Sequence, residues 1–291
     1  MTTNSIINIA AYKFITLTDL PTLRENFLTE CEQLAIKGTI LLSAEGINLI
    51  LAGEADAIEK FIETLRADAR FADMDFKKST SAKRPFRRLK VRLKEEIITL
   101  RQNDIDPEKL TGAHISAQEL KTWLDEGREF NLLDTRNDYE VEMGTFEKAV
   151  TLPIKFFTEF PDAVEAAALP KDKPIVMFCT GGVRCEKASA VMLKQGYQAV
   201  HQLDGGILKY FEECGGEHYQ GNCFVFDERT AITPEFAETG MAQCPRCKNF
   251  VSPQEQRHPQ YNAWHSCQFC QANSVGRFTE ASTQVDASKP T

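Results

Sequence analysis

The spacing of apolar and polar positions changes character several times along this chain. From Ile6 to Ile15 the alternation is loosely two-fold and predicts a strand. Asp19 then stands as an N-cap for a helix to about Ala35, with Pro21 in its first turn and Gly38 beyond it as a stop. Thr39–Ser43 and Ile47–Leu51 are β-rich runs joined by Ala44-Glu45-Gly46, a hairpin pattern. Over Glu54–Ala67 the period becomes helical, with Ile58, Phe61, Ile62 and Leu65 on one face, and a strand near Met74–Lys78 follows. The order β-α-β-β-α-β predicts a ferredoxin-like α+β domain over residues 1–95. Acylphosphatase-like folds and many RNA-binding modules share that order.

A second pattern starts near residue 110. Ser116, with Glu119 three residues on, caps a helix carrying Leu120, Trp123 and Leu124. Short apolar runs at Asn131–Leu133, Ala149–Leu152, Ile175–Phe178 and Ala199–Leu203 alternate with helical segments. That alternation predicts an α/β domain over 110–218, with a parallel sheet covered by helices on both faces. Residues 219–278 form a cysteine-bearing C-terminal segment. The tail, 279–291, is Ser/Thr/Lys-rich without apolar period and is expected to be disordered.

Composition narrows the class. The 291 residues suit two or three domains, and 42% hydrophobic with 26% charged residues is ordinary for a globular protein. No apolar run approaches a membrane span, and the first residues lack a basic n-region before an apolar core. Nine cysteines in so long a chain, four of them in metal-type pairs, fit a reducing cytoplasm better than a disulfide scaffold. The net charge of -8 is uneven: -6 over 1–76, +9 over 77–94 and -11 over 95–291. The basic block holds Lys83, Arg84, Arg87, Arg88, Lys90 and Arg92, flanked by Lys77, Lys78 and Lys94, with Phe76 and Phe86 nearby. It reads as a linker leaving the first domain. A positive island of this density needs an anionic partner, and a nucleic-acid phosphate footprint fits it. A solvated strand paired with acids elsewhere in the fold is the alternative.

The sharpest chemistry lies in Cys179-Thr180-Gly181-Gly182-Val183-Arg184-Cys185, between an apolar strand and a helix. Glycines let backbone N–H groups turn in around the sulfur, and the helix start and Arg184 add positive potential. All of these favour the thiolate. An inert buried cysteine is the alternative, and the glycine pair and the arginine argue against it. Four residues separate Cys179 from Arg184, one fewer than in a phosphate-cradling Cys-x5-Arg loop, so a smaller anion or a sulfur carried on the cysteine fits. Cys185 either resolves an oxidised Cys179 or fills a small-residue slot, and the second is preferred. Asp134 and Arg136 are read as groups that brace the loop by hydrogen bonds, or as a plain ion pair.

Cys244-x-x-Cys247 and Cys267-x-x-Cys270, 19 residues apart, have zinc-ribbon spacing, and four thiolates make a closed structural zinc site. His258 and His265 are spare candidates. No Gly-x-Gly-x-x-Gly nucleotide fingerprint and no His-x-Asp/Glu pair for non-haem iron is present in the sequence.

The cysteine loop resembles the active-site loop of the rhodanese superfamily, in which the first cysteine carries sulfane sulfur. Leu132-Leu133-Asp134-Thr135-Arg136-Asn137-Asp138-Tyr139-Glu140 with Gly144, and Leu203-Asp204-Gly205-Gly206, fit that resemblance in order. Adding Gly38–Asn48, Lys83-Arg84-Pro85-Phe86, Cys179–Ala188 and Gly221–Arg229, the chain to about residue 275 resembles the bacterial tRNA uridine hydroxylases built on a rhodanese domain. The resemblance implies oxygen-dependent formation of 5-hydroxyuridine at the tRNA wobble position, with Cys179 catalytic, molecular oxygen as co-substrate and the anticodon stem-loop as ligand. Two other classes stay open at this level: a sulfurtransferase or persulfide carrier, carried by the loop alone, and a non-enzymatic RNA-binding module.

Overall fold

A computed structural model of the protein describes residues 6–270. The described residues divide into two compact units, one up to Thr239 and one from Gly240 onward. The expected disordered tail lies outside the described residues.

The first unit opens with β1 (Ile6–Phe14), α1 (Leu20–Gln33), β2 (Lys37–Ser43), β3 (Gly46–Gly53), α2 (Ala55–Ala67), β4 (Lys77–Ser81) and β5 (Leu89–Leu93). They form one sheet in the order β4-β1-β3-β2-β5. The first six elements are the ferredoxin-like set. Alternate residues Ile9, Ala11, Ile40, Leu42, Ile47, Leu49 and Leu51 point to one face and pack with Phe27, Phe61 and Phe71 beneath the helices. The other face carries Tyr12 opposite Asn48, and Thr39 and Leu41 opposite Lys90 and Arg92.

Several details differ from the sequence pattern. The basic block is not a free linker: it supplies β4 and β5, the latter pairing parallel to β2. The strand expected near Met74–Lys78 starts at Lys77, and Met74 is a core residue. Asp19 precedes α1 but its side chain does not cap it; it receives Arg70 at 2.6 and 3.1 Å. Gly38 does not stop the helix, which ends through Leu34 and Ala35. Gly38 lies inside β2 at φ +132°, where a Cβ would sit 2.2 Å from the Ile50 carbonyl oxygen of the neighbouring strand.

The α/β layer follows: β6 (Ala113–Ile115), α3 (Ala117–Asp125), β7 (Asn131–Asp134), α4 (Asp138–Val141), β8 (Gly144–Phe146), β9 (Val150–Thr151), α5 (Phe160–Ala166), β10 (Ile175–Phe178), α6 (Val183–Lys194), β11 (Val200–Leu203) and α7 (Gly206–Cys214). The sheet order is β6-β11-β10-β7-β9, with every pair parallel. Ser116 caps α3 through the Glu119 N–H at 3.1 Å, as its motif predicts. Ile175–Phe178 is wholly buried at the centre of the sheet, so the chain leaving its carboxyl end is held on both sides.

Residues 219–239, expected with the cysteine-bearing segment, belong to the first unit. β12 (Tyr219–Gly221) pairs with β8, and β13 (Cys223–Phe224) pairs with β14 (Ala231–Ile232). Cys223, Val225 and Ile232 join the core around Phe146 and Phe178, and this apolar contact fixes the boundary at Gly240. In the second unit, β15 (Ala242–Gln243) and β16 (Phe250–Val251) form a short hairpin.

Two clamps hold α6 to the ferredoxin-like domain. Lys187, 2% exposed, reaches Glu45 at 2.8 Å and Glu96 at 2.6 Å. Glu186 accepts the Tyr12 hydroxyl at 3.0 Å and bonds Thr111, His114 and Gln202.

Candidate active site

Cys179 follows the last residue of β10, and the chain turns at once into α6. The turn needs Gly182 at φ +98°, and from there the Gly182 N–H donates to Cys179 Sγ at 3.1 Å. A Cβ at Gly182 would stand 2.8 Å from Tyr12 Oη, so glycine also makes room for a residue of the first domain. The Ile207 and Leu208 N–H groups at the start of α7 grip the Cys179 and Thr180 carbonyls at 2.9 and 3.1 Å. That approach requires Gly206, where a Cβ would sit 2.4 Å from the Cys179 carbonyl oxygen. Gly181 has open space where its Cβ would be, and Val183 lines the cavity.

Burial opposes ionisation of Cys179. It is outweighed by a hydrogen bond from the Cys185 thiol, the charge of Arg184, and the Arg184 and Gly182 N–H groups, which bring the thiol down to about 5. The cost appears at Cys185: burial and the adjacent thiolate push its own thiol well above the usual range. Cys185 also lies 3.7 Å from Thr135 Oγ1. These causes favour the thiolate at Cys179 and leave the proton on Cys185, which donates it in a hydrogen bond to the neighbouring sulfur.

Arg184 does not face the sulfur as a free cation. Its guanidinium is bidentate on Glu140, at 2.5 and 2.7 Å, with both side chains buried. Burial raises the Glu140 carboxyl, and Arg184 overcomes it and holds the group ionised. Glu140 also accepts Thr180 Oγ1 at 3.3 Å and the Asn137 N–H at 3.2 Å. It lies in the Asp-x-Arg…Glu…Gly stretch, but its role there depends on a partner 44 positions away. Asp134 and Arg136 do not touch the loop. They pair with each other at 2.7 Å, fully buried, and tie β7 to β8 through Thr145 Oγ1 and the Gly144 carbonyl. Their geometry is that of a buried ion pair.

Cys179, Thr180, Gly181, Val183 and Arg184 open onto a cavity of about 430 Å³. Its opposite wall is the helix-free face of the first sheet, with Ala10, Tyr12, Thr39, Asn48 and Ile50. Lys77, Phe86 and Lys94 of the basic block reach it, and Phe226 stands at its edge, 47% exposed. Lys90 and Arg92 continue the same face beyond Thr39 and Leu41. Lys83, Arg84, Arg87 and Arg88 lie between β4 and β5, and Arg87 pairs with Glu228 at 2.6 Å. Among the described residues Lys83, Arg88, Lys90, Arg92 and Lys94 are exposed and make no ion pair with a carboxylate. Tyr12 stands out in no sequence pattern, and Asn48 and Phe226 enter only within the stretches Gly38–Asn48 and Gly221–Arg229. Their place in the cavity is not local, since the residues of the first sheet lie more than 100 positions before Cys179.

In the second unit, Cys244, Cys247, Cys267 and Cys270 bring their sulfurs within 4.8 Å of one another, at 3.6 Å for 244–270 and 3.5 Å for 247–267. The edge of a tetrahedron with Zn–S bonds of 2.3 Å is about 3.8 Å. The donor set fits a metal ion and is compatible with zinc.

A low-pKa cysteine in a glycine loop, between the central parallel strand and a helix, defines a rhodanese-type sulfur centre. Residues 116–213 match the rhodanese-like domain family, and residues 6–97 match the UPF0176 acylphosphatase like domain. The curated protein "tRNA uridine(34) hydroxylase" of Cupriavidus necator is 52% identical over 91% of this chain and 96% of its own. That of Ralstonia nicotianae is 51% identical over 91% and 96%, and that of Cupriavidus pinatubonensis 48% over 95% and 99%. The chain belongs to the tRNA uridine(34) hydroxylase family. No helix among the described residues is long and apolar enough to cross a membrane.

Proposed function

We propose that this protein converts the wobble uridine of tRNA, position 34, to 5-hydroxyuridine in an oxygen-dependent reaction, with Cys179 as nucleophile. The observation that carries the reading is the placement of the Cys179 thiolate in a cavity whose far wall is the face bearing Lys77, Lys94, Lys90 and Arg92. Unstacked loop bases are where enzymes act on RNA, and the anticodon loop offers one next to phosphates the basic face can hold. The thiolate adds to C6 of the uracil ring and makes C5 electron-rich. C5 then takes an oxygen atom from dioxygen, with a two-electron donor reducing the second oxygen to water. Loss of the C5 proton and expulsion of the thiolate restore the double bond. Arg184, held by Glu140, steadies the loop, and the Cys185 S–H stabilises the departing thiolate. Zinc, held by the four cysteines, keeps the second unit folded; metal analysis should find one zinc per chain, lost in Cys267→Ser.

The test is mass spectrometry of tRNA nucleosides from a deletion strain carrying wild type or Cys179→Ser. We expect 5-hydroxyuridine and its derivatives to be absent in the deletion and restored by wild type alone. The same nucleoside profile in all strains would remove the reading. A persulfide carrier would instead show thiosulfate:cyanide transfer lost in Cys179→Ser with unchanged nucleosides.

A further inference from the structure

Large aromatic side chains are seldom left open in this fold, and Phe226, 47% exposed, lines the cavity that Cys179 also lines. Its setting is rigid. Asp227 and Arg229 form a buried pair at 2.6 Å, and Arg229 Nη1 donates to Ser79 Oγ at 3.0 Å on β4. The Glu228 N–H donates to the Pro85 carbonyl at 3.0 Å, within the basic block. The ring meets Phe224 edge-to-face at 5.1 Å, and Phe224 meets Tyr139 in the same way at 5.3 Å. The Arg184 guanidinium lies 5.8 Å from the centre of the Phe226 ring. Phe226 is therefore an oriented aromatic surface on a fixed turn, lining the cavity that holds Cys179. Packing does not explain its exposure, whereas a planar ligand does. Aromatic side chains that project into cationic grooves stack nucleobases.

We propose that Phe226 is the stacking surface for the nucleobase that enters the cavity, and so a positioning residue that presents the ring of uridine 34 to Cys179. This rests on the proposed base-modifying activity for the identity of the ligand. Lysines and arginines hold the RNA backbone, while Phe226 holds the extruded base against the Arg184 side of the cavity. A base out of its stack loses its neighbours, and the Phe226 ring replaces one of them.

The test separates the base from the rest of the RNA. Anticodon stem-loops carrying uridine or an abasic site at position 34 are bound to Cys179→Ser protein with Phe226, Phe226→Leu or Phe226→Trp. With Phe226, removing the base should weaken binding roughly 10-fold. With Phe226→Leu the two stem-loops should bind alike, and Phe226→Trp should restore the difference. In otherwise wild-type protein, Phe226→Leu should lower kcat/KM for 5-hydroxyuridine formation, while the 240 nm thiolate titration keeps its midpoint. A base effect equal within twofold in Phe226 and Phe226→Leu proteins overturns the inference. So does a shifted thiolate midpoint with no rescue by Trp, which would make the ring a structural support of Arg184. Absence of 5-hydroxyuridine with the binding coupling intact would instead overturn the proposed activity and leave the stacking role standing.

Discussion

At the scale of single residues, the Cys185 thiol is the foremost group that lowers Cys179. The charge of Arg184 comes next even though it is paired with Glu140, and the Arg184 and Gly182 N–H groups follow. Removing the Cys185 donor should be visible. Cys185→Ala should raise the midpoint of the Cys179 thiolate absorbance at 240 nm above about 5, and Cys185→Ser, which keeps an O–H donor, should leave it low. An unchanged midpoint in Cys185→Ala would show that Cys185 only fills space. The linkage has a definite sign. A thiol depressed in the folded state contributes stability that is complete above the unfolded value near 8.5 and is lost as pH falls through about 5. Wild type should thus lose stability relative to Cys179→Ser as the solution is acidified through that window, as measured by denaturant titration at several pH values. The thiolate loop was legible in the sequence because its chemistry is local. Glu140 was visible in a motif but had no readable role, since its partner comes from another strand–helix junction.

At the scale of elements, α6 carries both the loop and the attachment to the first domain. Cys185, Glu186 and Lys187 are consecutive, and each faces a different neighbour. Lys187 is buried with Glu45 and Glu96, whose side chains keep about a fifth of their exposure, at 24% and 20%. Lys187→Met would leave two carboxylates facing each other without their cation. We expect a loss of roughly 2–4 kcal/mol, read as a thermal midpoint about 5–10 °C lower. An unchanged midpoint would mean that the Tyr12–Glu186 bond and the apolar contacts hold the domains without Lys187. The short parallel strands were legible because a strand buried on both faces is a plain apolar run, as in Ile175–Phe178. β6 was not legible: Ala113-His114-Ile115 has no run and two exposed residues. β5 was hidden by its charge, for Leu89-Lys90-Val91-Arg92-Leu93 alternates well but sits in a block that reads as a solvated linker. β12 to β14 are two or three residues each, below the length at which a period can be recognised.

At the scale of the whole molecule, the acidic protein carries one stretch, 77–94, with nine basic and no acidic residues, and Lys77, Lys90 and Arg92 of it share a sheet face. Reversing Lys90 and Arg92 to glutamate should weaken tRNA binding across all sequences tested. The slope of log Kobs against log salt should flatten by about 0.7–0.9 for each phosphate that the protein no longer neutralises. A filter-binding series at several salt concentrations checks this, and an unchanged slope would remove the face from the tRNA path.

The contact of Tyr12 Oη with Gly182 and Glu186 has a consequence for inheritance. The two domains cannot drift apart in sequence independently, because the Tyr12 side chain of one occupies the space left by the missing side chain at Gly182 of the other. A smaller residue at 12 would not free position 182 to vary, because its backbone at φ +98° demands glycine as well. Alleles that abolish activity should therefore gather at Tyr12 and Lys187 as readily as around Cys179, and hybrids joining the first domain of one relative to the second of another should work only when the two parents carry the same residues on both sides of that contact.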